Sequence, residues 1–295
     1  MPGTQNAGDF NRATGQSPTC YDVLGVDGLG ETRMRALLRT GLAILLLLGG
    51  AAPGEAAGHP GVVLLHGKTG MPDQLAKLAA ALKADGYAVA TPEMCWSKQR
   101  IFDKALPDCL AEVDTAVAGL KSAGSTEVVV GGTSQGAVAA LDYGASHAGL
   151  AGIIAMAPAA DPNDAAAYPK FAAAIAQARA LVQAGKGDSA ASFADLISGG
   201  NTIAVRATPK AYLSFHDSDA PVATIRNLTR SVLPQLRVPV LWVAGTKDPA
   251  EKGAQNSFAS IPKQASNRYV TVEADHAGTP DASAAVVADW LKSLP

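Results

Sequence analysis

The sequence predicts an α/β fold: a mostly parallel sheet of about six strands, helices on both faces, and a helical cap insertion before the last strands. Three observations carry this. Short, fully apolar runs alternate with helix-like stretches from Gly61 onward. One of those runs, Val128-Val129-Val130, enters a glycine-crowded turn that opens directly into a helix of small residues, Ala137-Val138-Ala139-Ala140-Leu141. The alternation lapses between 161 and about 237, then resumes at Val238.

Residues 1–33 are polar, Gly-rich and without periodicity, which reads as a disordered extension or an over-called start ahead of Met34. Residues 34–56 read as a signal peptide. Arg35 and Arg39 give positive charge, Leu42 to Leu48 an apolar run, and Gly54-Glu55-Ala56 the small residues for cleavage before Ala57. The run is too short to span a bilayer comfortably. These features predict a bacterial periplasmic or secreted protein with no stable membrane anchor once the leader is removed.

The folded domain is then 57–295. Gly61 to Leu65 reads as a strand entering the loop His66-Gly67-Lys68-Thr69-Gly70. Pro72 to Asp85 has helical spacing at Leu75, Leu78, Ala81 and Leu82, and Gly86 stops it. Tyr87 to Pro92 is the next strand, and Pro107 to Ala123 a helix with proline at its start and Gly124 after its end. Glu127 to Val130 and Ala151 to Pro158 are buried strands flanking the small-residue helix. Helical pieces, including 165–184 and 189–197, are expected to fill the insertion of about 161–237. Val238 to Gly245 and Tyr269 to Val272 complete the strands, and a helix over 282–294 closes the chain.

Composition excludes several classes. Hydrophobic residues at 48% permit a sizeable core, and a net charge of −2 without a basic stripe gives no reason to expect nucleic acid. Aromatics at 5% are too few for a base-stacking platform. The cysteines are Cys20, Cys95 and Cys109, with no CxxC or His/Cys cluster of zinc spacing, so neither metal nor cofactor is expected. In an oxidising compartment Cys95 and Cys109 are expected to form a disulfide, worth about 3 kcal/mol for a loop of that size.

Gly132-Thr133-Ser134-Gln135-Gly136 fits G-x-S-x-G, a tight strand-to-helix turn that lifts a serine hydroxyl above the end of a sheet. The pattern alone is weak; the strand before it and the helix after it strengthen it. Asp248 lies just past the strand ending Ala244-Gly245, and His276 just past the final strand. All three stand at carboxyl ends of strands, where open α/β sheets bind ligands. A serine hydroxyl needs a base to take its proton. His276 can serve as that base, and Asp248 would fix its tautomer and stabilise the imidazolium. Asp275 is a rival acid, though a carboxylate adjacent in sequence seldom reaches the Nδ1 of its neighbour.

With these residues in the order nucleophile, acid, histidine, the chain resembles the α/β-hydrolase fold family over nearly all of 57–295. Within it the chain looks most like bacterial exported hydrolases of the dienelactone-hydrolase kind, but with Ser134 where those enzymes carry cysteine. The strand count departs from the family pattern: Ala57 is almost immediately followed by the strand that leads to HGKTG, so the two antiparallel strands usually found first are missing and a reduced sheet is expected. The resemblance implies an oxyanion hole made by the backbone N–H groups of Gln135 and Lys68. His66 is expected to be a structural loop histidine. The loop reads HGKTG rather than the HGGG of one lipase branch.

The expected function is hydrolysis of small-molecule carboxylic esters with short acyl chains through an acyl-enzyme. The insertion is mostly alanine, with Phe171, Ile175, Leu181, Val182, Phe193, Leu196 and Ile197 spread across it. Lys68, Lys98 and Arg100 are expected to add positive charge at the mouth, with Trp96 to Arg100 either lining its rim or forming a plain solvated loop. Thioesterase and peptidase activities stay open at this point, as does a non-catalytic binding protein on the same fold.

Overall fold

In β1 (Gly61–Leu65) every side chain is buried, with Val63 and Leu65 facing one core and Val62 and Leu64 the other. That division by alternate residues is the pleat of a strand covered on both faces. It repeats in β3 (Val128–Thr133), β4 (Gly152–Met156) and β7 (Val240–Gly245). The computed structural model describes residues 59–158, 168–197, 201–221, 223, 227–249 and 253–295. The expected extension 1–33, signal peptide 34–56 and cleavage point lie outside the described residues, as do 159–167 and 198–200 of the insertion.

The main sheet has six strands in the order β2-β1-β3-β4-β7-β8, where β2 is Val89–Ala90 and β8 is Arg268–Val272. All of its pairings are parallel. Chain order runs one way from β1 to β2 and the other way from β3 outward, so a switch point falls between β1 and β3. In open α/β sheets that crevice is where ligands bind. The loop HGKTG and Ser134 flank it.

Helices follow from spacing and punctuation. A 3₁₀ turn at Pro72–Leu75 leads into α1 (Ala76–Ala84), which buries Leu78, Ala79 and Leu82 on one face of the sheet. α2 (Leu106–Ser122) has proline in its first turn and buries Leu106, Cys109, Leu110, Val113, Val117 and Leu120, one stripe at helical spacing. Gly124 follows it at φ +105°, a conformation glycine takes without penalty. α3 (Gln135–Ser146) follows β3 on the same face as α2, beside β3 and β4. Cys95 and Cys109 are joined by a disulfide, with Cα atoms 5.8 Å apart, tying the loop after β2 to the start of α2. Among the described residues no helix is long and apolar enough to cross a membrane.

The insertion contains one expected helix, α4 (Pro169–Gln183), and a further one that the sequence reading did not single out, α5 (Pro209–His216), but differs at one place. The stretch 189–197, expected to be helical, instead contains β5 (Ala191–Leu196), which pairs antiparallel with β6 (Thr202–Ala207). The reason is visible in the side chains. Phe193 and Asp195 are buried while Ser192 is exposed, a period of two that cannot sit on one helix face. β-branched Thr202, Ile203 and Val205 supply the partner. Phe193 and Tyr212 then stack at 4.6 Å to hold the hairpin on α5.

The insertion docks through α5. Leu106 N–H at the start of α2 donates to Ser214 Oγ at 2.9 Å, and Phe215 packs on Phe102 at 4.8 Å between centroids. A short helix α6 (Ala254–Phe258) leads towards β8. After β8, α7 (Thr279–Ala282) and α8 (Ala284–Lys292) bring Val287, Trp290 and Leu291 onto the face that α1 covers.

Candidate active site

Ser134 sits between β3 and α3 at φ 56°, ψ −120°, a conformation that is uncommon for a residue with a side chain. The glycines around it are required by space. A Cβ on Gly132 would come within 2.5 Å of the Gly136 backbone and 2.7 Å of Leu65 O, and one on Gly136 would collide with Leu65 O and His66 O. The turn is anchored by Ser134 N–H donating to Met156 O at 3.0 Å, while Ser134 O accepts from Ala137 and Val138 to begin α3. The hydroxyl therefore stands at the positive end of a helix dipole.

Asp248 and His276 reach it from two loops that are bonded to each other. Thr246 N–H donates to Val272 O at 2.8 Å and Lys247 N–H to Ala274 O at 2.9 Å. Gly245 permits this crossing, since a Cβ there would lie 2.5 Å from Ala274 O. Asp248 is 7% exposed, and its Oδ2 lies 2.6 Å from His276 Nδ1. His276 Nε2 lies 3.0 Å from Ser134 Oγ. A carboxylate can only accept, so its partners assign the proton to Nδ1 and leave Nε2 to accept from the serine. The rival Asp275 is used elsewhere: its Oδ1 accepts from Gly278 N–H at 2.8 Å, closing the turn that leads to α7.

The loop after β1 faces Ser134; a Cβ on Gly67 would be 3.2 Å from the serine Cβ. Its amides are engaged in turn. Gly67 N–H donates to Gln74 Oε1 at 2.8 Å, Thr69 N–H to Trp96 O at 2.9 Å, and Gly70 N–H to Gly67 O at 3.0 Å. Among the described residues the Lys68 N–H has no protein acceptor, and neither has the Gln135 N–H at the start of α3. Backbone donors free of other acceptors are the kind of group that an oxyanion needs.

The turn after β3 and the loops after β7 and β8 thus bring Ser134, Asp248 and His276 together, with the loop after β1 facing the serine. The chain matches the alpha/beta hydrolase family over residues 62–290. It belongs to that family. No curated protein is similar to it in sequence. Among solved structures, one of the metagenome-derived lipolytic enzymes LipS and LipT is similar at TM-score 0.55 and 18% identity, over 80% of this chain and 94% of that one. The monoacylglycerol lipase of Paleococcus ferrophilus is similar at TM-score 0.54 and 17% identity, over 80% and 96%. Est1E of Butyrivibrio proteoclasticus, with ferulic acid bound, is similar at TM-score 0.53 and 18% identity, over 82% and 90%. At these identities the likeness is one of fold.

Elsewhere in this α/β hydrolase, His66 is a structural residue of its loop, as expected. It is fully buried, its Nδ1 lies 2.8 Å from Gly67 O, and its Nε2 accepts from Met94 N–H at 3.0 Å. Burial holds its pKa below the ordinary histidine value. The expected rim differs: Trp96 and Ser97 are buried, and the Trp96 indole N–H donates to His66 O at 2.8 Å. The expected positive mouth differs too. Arg100 is held by Glu112 at 2.6 Å and Asp103 at 3.0 Å. Lys68 Nζ is bound to Asp195 Oδ1 at 3.0 Å and to Leu196 O. Sequence reasoning also missed Gln74, which carries no signal in its one-turn helix, and Asp195. The second had a signal: once 191–196 is read as a strand, a charge stands in its buried phase. Among the described residues no three His, Cys, Asp or Glu side chains are grouped to hold a metal ion.

Proposed function

We propose that this α/β hydrolase is an exported serine hydrolase that cleaves small carboxylic esters of short acyl chains. The observation that carries the reading is the unbroken hydrogen-bonded line from Ser134 through His276 to Asp248. In the reaction Ser134 Oγ attacks the ester carbonyl carbon as His276 Nε2 takes its proton. The carbonyl oxygen becomes an oxyanion that accepts from the Lys68 and Gln135 N–H groups. Asp248 stabilises the imidazolium. The imidazolium then protonates the leaving alkoxide, the C–O bond breaks, and the acyl group stays on Ser134. Water, deprotonated by His276, attacks the acyl-enzyme and releases the acid.

Two further observations favour the narrower terms. Phe171, Ile175 and Phe193 of the insertion are buried within it, and among the described residues Val182, at 36%, is the one large apolar side chain that is exposed. A long acyl chain gains about 0.8 kcal/mol per buried CH₂ only against apolar surface, which this cap offers sparingly. The Cys95–Cys109 disulfide suits an oxidising compartment. The test is hydrolysis of p-nitrophenyl acetate and butyrate by the purified protein and by Ser134→Ala. The variant should stay folded with kcat lower by several orders of magnitude, on the order of 10⁶ where a triad serine acts with its histidine. Retention of more than about a tenth of the activity would refute the assignment.

A further inference from the structure

Asp195 lies on β5 of the insertion, fully buried, and its Oδ1 accepts a charge-assisted hydrogen bond from Lys68 Nζ across 127 positions of chain. Lys68 is the residue whose backbone N–H stands unspent in the loop that faces Ser134. Its side chain and its amide are thus held by different parts of the molecule: the amide end by the loop after β1, the ammonium end by the cap hairpin. The second anchor, Leu196 O, comes from the same strand.

A buried carboxylate is poor cement. Taking it out of water costs several kcal/mol, and an apolar residue of similar size often stabilises as well or better. Asp195 Oδ2 has no hydrogen-bond partner among the described residues, so its burial is only partly compensated. The surroundings keep its charge for Lys68. His216 Nε2 is 3.4 Å from Oδ1, yet makes no hydrogen bond. That imidazole sits among Phe102, Phe171 and Tyr212, and burial lowers its pKa to about 4, so it is neutral near pH 7. Tyr212, which also faces the cluster, donates its hydroxyl to Ala194 O at 2.6 Å, not to the carboxylate.

We propose that Asp195 is a positioning residue for the hydrolytic reaction, acting through the Lys68 ammonium to fix the oxyanion-binding amide of Lys68 against Ser134. The proposal rests on the reading of Ser134 as nucleophile. Small displacements of a transition-state donor are costly: losing such a donor outright lowers kcat by about 10² to 10³, and a 1 Å misplacement can cost about 10². The ground-state ester needs that donor less, so KM should move little.

The experiment is a double-mutant cycle of Asp195→Asn and Lys68→Met, with kcat and KM for p-nitrophenyl butyrate and inhibition by a trifluoromethyl ketone. That inhibitor forms a tetrahedral oxyanion adduct on the serine. Asp195→Asn should lower kcat at least tenfold with KM within about threefold, and weaken the ketone in proportion to kcat. The double variant should lose no more than the larger single loss, because both changes cut one connection. Should Asp195→Asn alone fail to fold around a stranded ammonium, the Lys68→Met/Asp195→Leu protein, which buries neither charge, must still show the kcat loss. Unchanged kcat, a loss confined to KM, or losses that multiply in the double variant would overturn the proposal. Fluorophosphonate labelling of the wild type separates the two readings. A labelled Ser134 with any of those outcomes overturns the role of Asp195 alone, whereas an unlabelled Ser134 overturns both.

Discussion

His276 Nδ1 lies 2.6 Å from Asp248 Oδ2, while Asp275, its neighbour in sequence, turns away to accept from Gly278. The two carboxylates therefore have separable roles. Asp248→Asn should lower kcat on the order of 10⁴, because an amide that donates to Nδ1 would leave the histidine in the wrong tautomer. Asp275→Asn should cost less than about tenfold, through the turn alone. Steady-state kinetics of both variants on one ester decide it; a crippling Asp275→Asn beside a silent Asp248→Asn would mean the acid is misassigned.

A short-chain preference follows from the buried side of the cap. kcat/KM for p-nitrophenyl esters should peak between acetate and butyrate and fall by octanoate. The series is run on purified protein below the micelle threshold. A rise continuing through decanoate would show an apolar channel, at roughly 0.8 kcal/mol per CH₂.

Much of this was legible from residue types. The strands of a parallel sheet are apolar on both faces, so β1, β3, β4 and β7 appear as continuous runs. The elbow glycines are legible because geometry allows no substitute at Gly132 and Gly136. The hairpin was not. Alanine fits helix or strand, and the alternation of Phe193 and Asp195 is only two buried residues long. Long-range pairing was not legible either: Lys68 and Arg100 read as free charges because nothing local marks Asp195 or Glu112 as their partners. Gln74, which holds Gly67, is an ordinary surface residue type in a short helix.

The disulfide should be structural. Reduction, or Cys95→Ser with Cys109→Ser, should lower stability by up to about 3 kcal/mol, or roughly 6 to 12 °C in Tm for a domain of this size. Intact mass before and after alkylation under reducing and non-reducing conditions should show two thiols released. The same spectrum of exported protein should place its N-terminus near Ala57. Two free thiols in unreduced protein, or exported protein that begins at Met1, would contradict the reading of compartment.

Acid should destabilise the fold through its buried imidazoles. His216 has its pKa lowered from 6.5 to about 4, and His66 is lowered as well. As pH falls the unfolded chain takes up these protons first. The stability is complete above about pH 6.5 and is lost progressively towards pH 4. For His216 the loss at pH 4.5 is about 2 to 3 kcal/mol. His216→Phe, which suits the aromatic surroundings, should narrow the gap between denaturation midpoints at pH 7.5 and 4.5. An unchanged gap would contradict a buried neutral histidine.

Covalent capture reports on whether Ser134 is a nucleophile activated by His276. Purified protein is treated with a fluorophosphonate and the adduct located by peptide mass spectrometry, with Ser134→Ala and His276→Ala alongside. One stoichiometric adduct is expected on Ser134, none in Ser134→Ala, and labelling slowed by orders of magnitude in His276→Ala. An unlabelled wild type, or equal labelling of wild type and His276→Ala, would refute that role for Ser134.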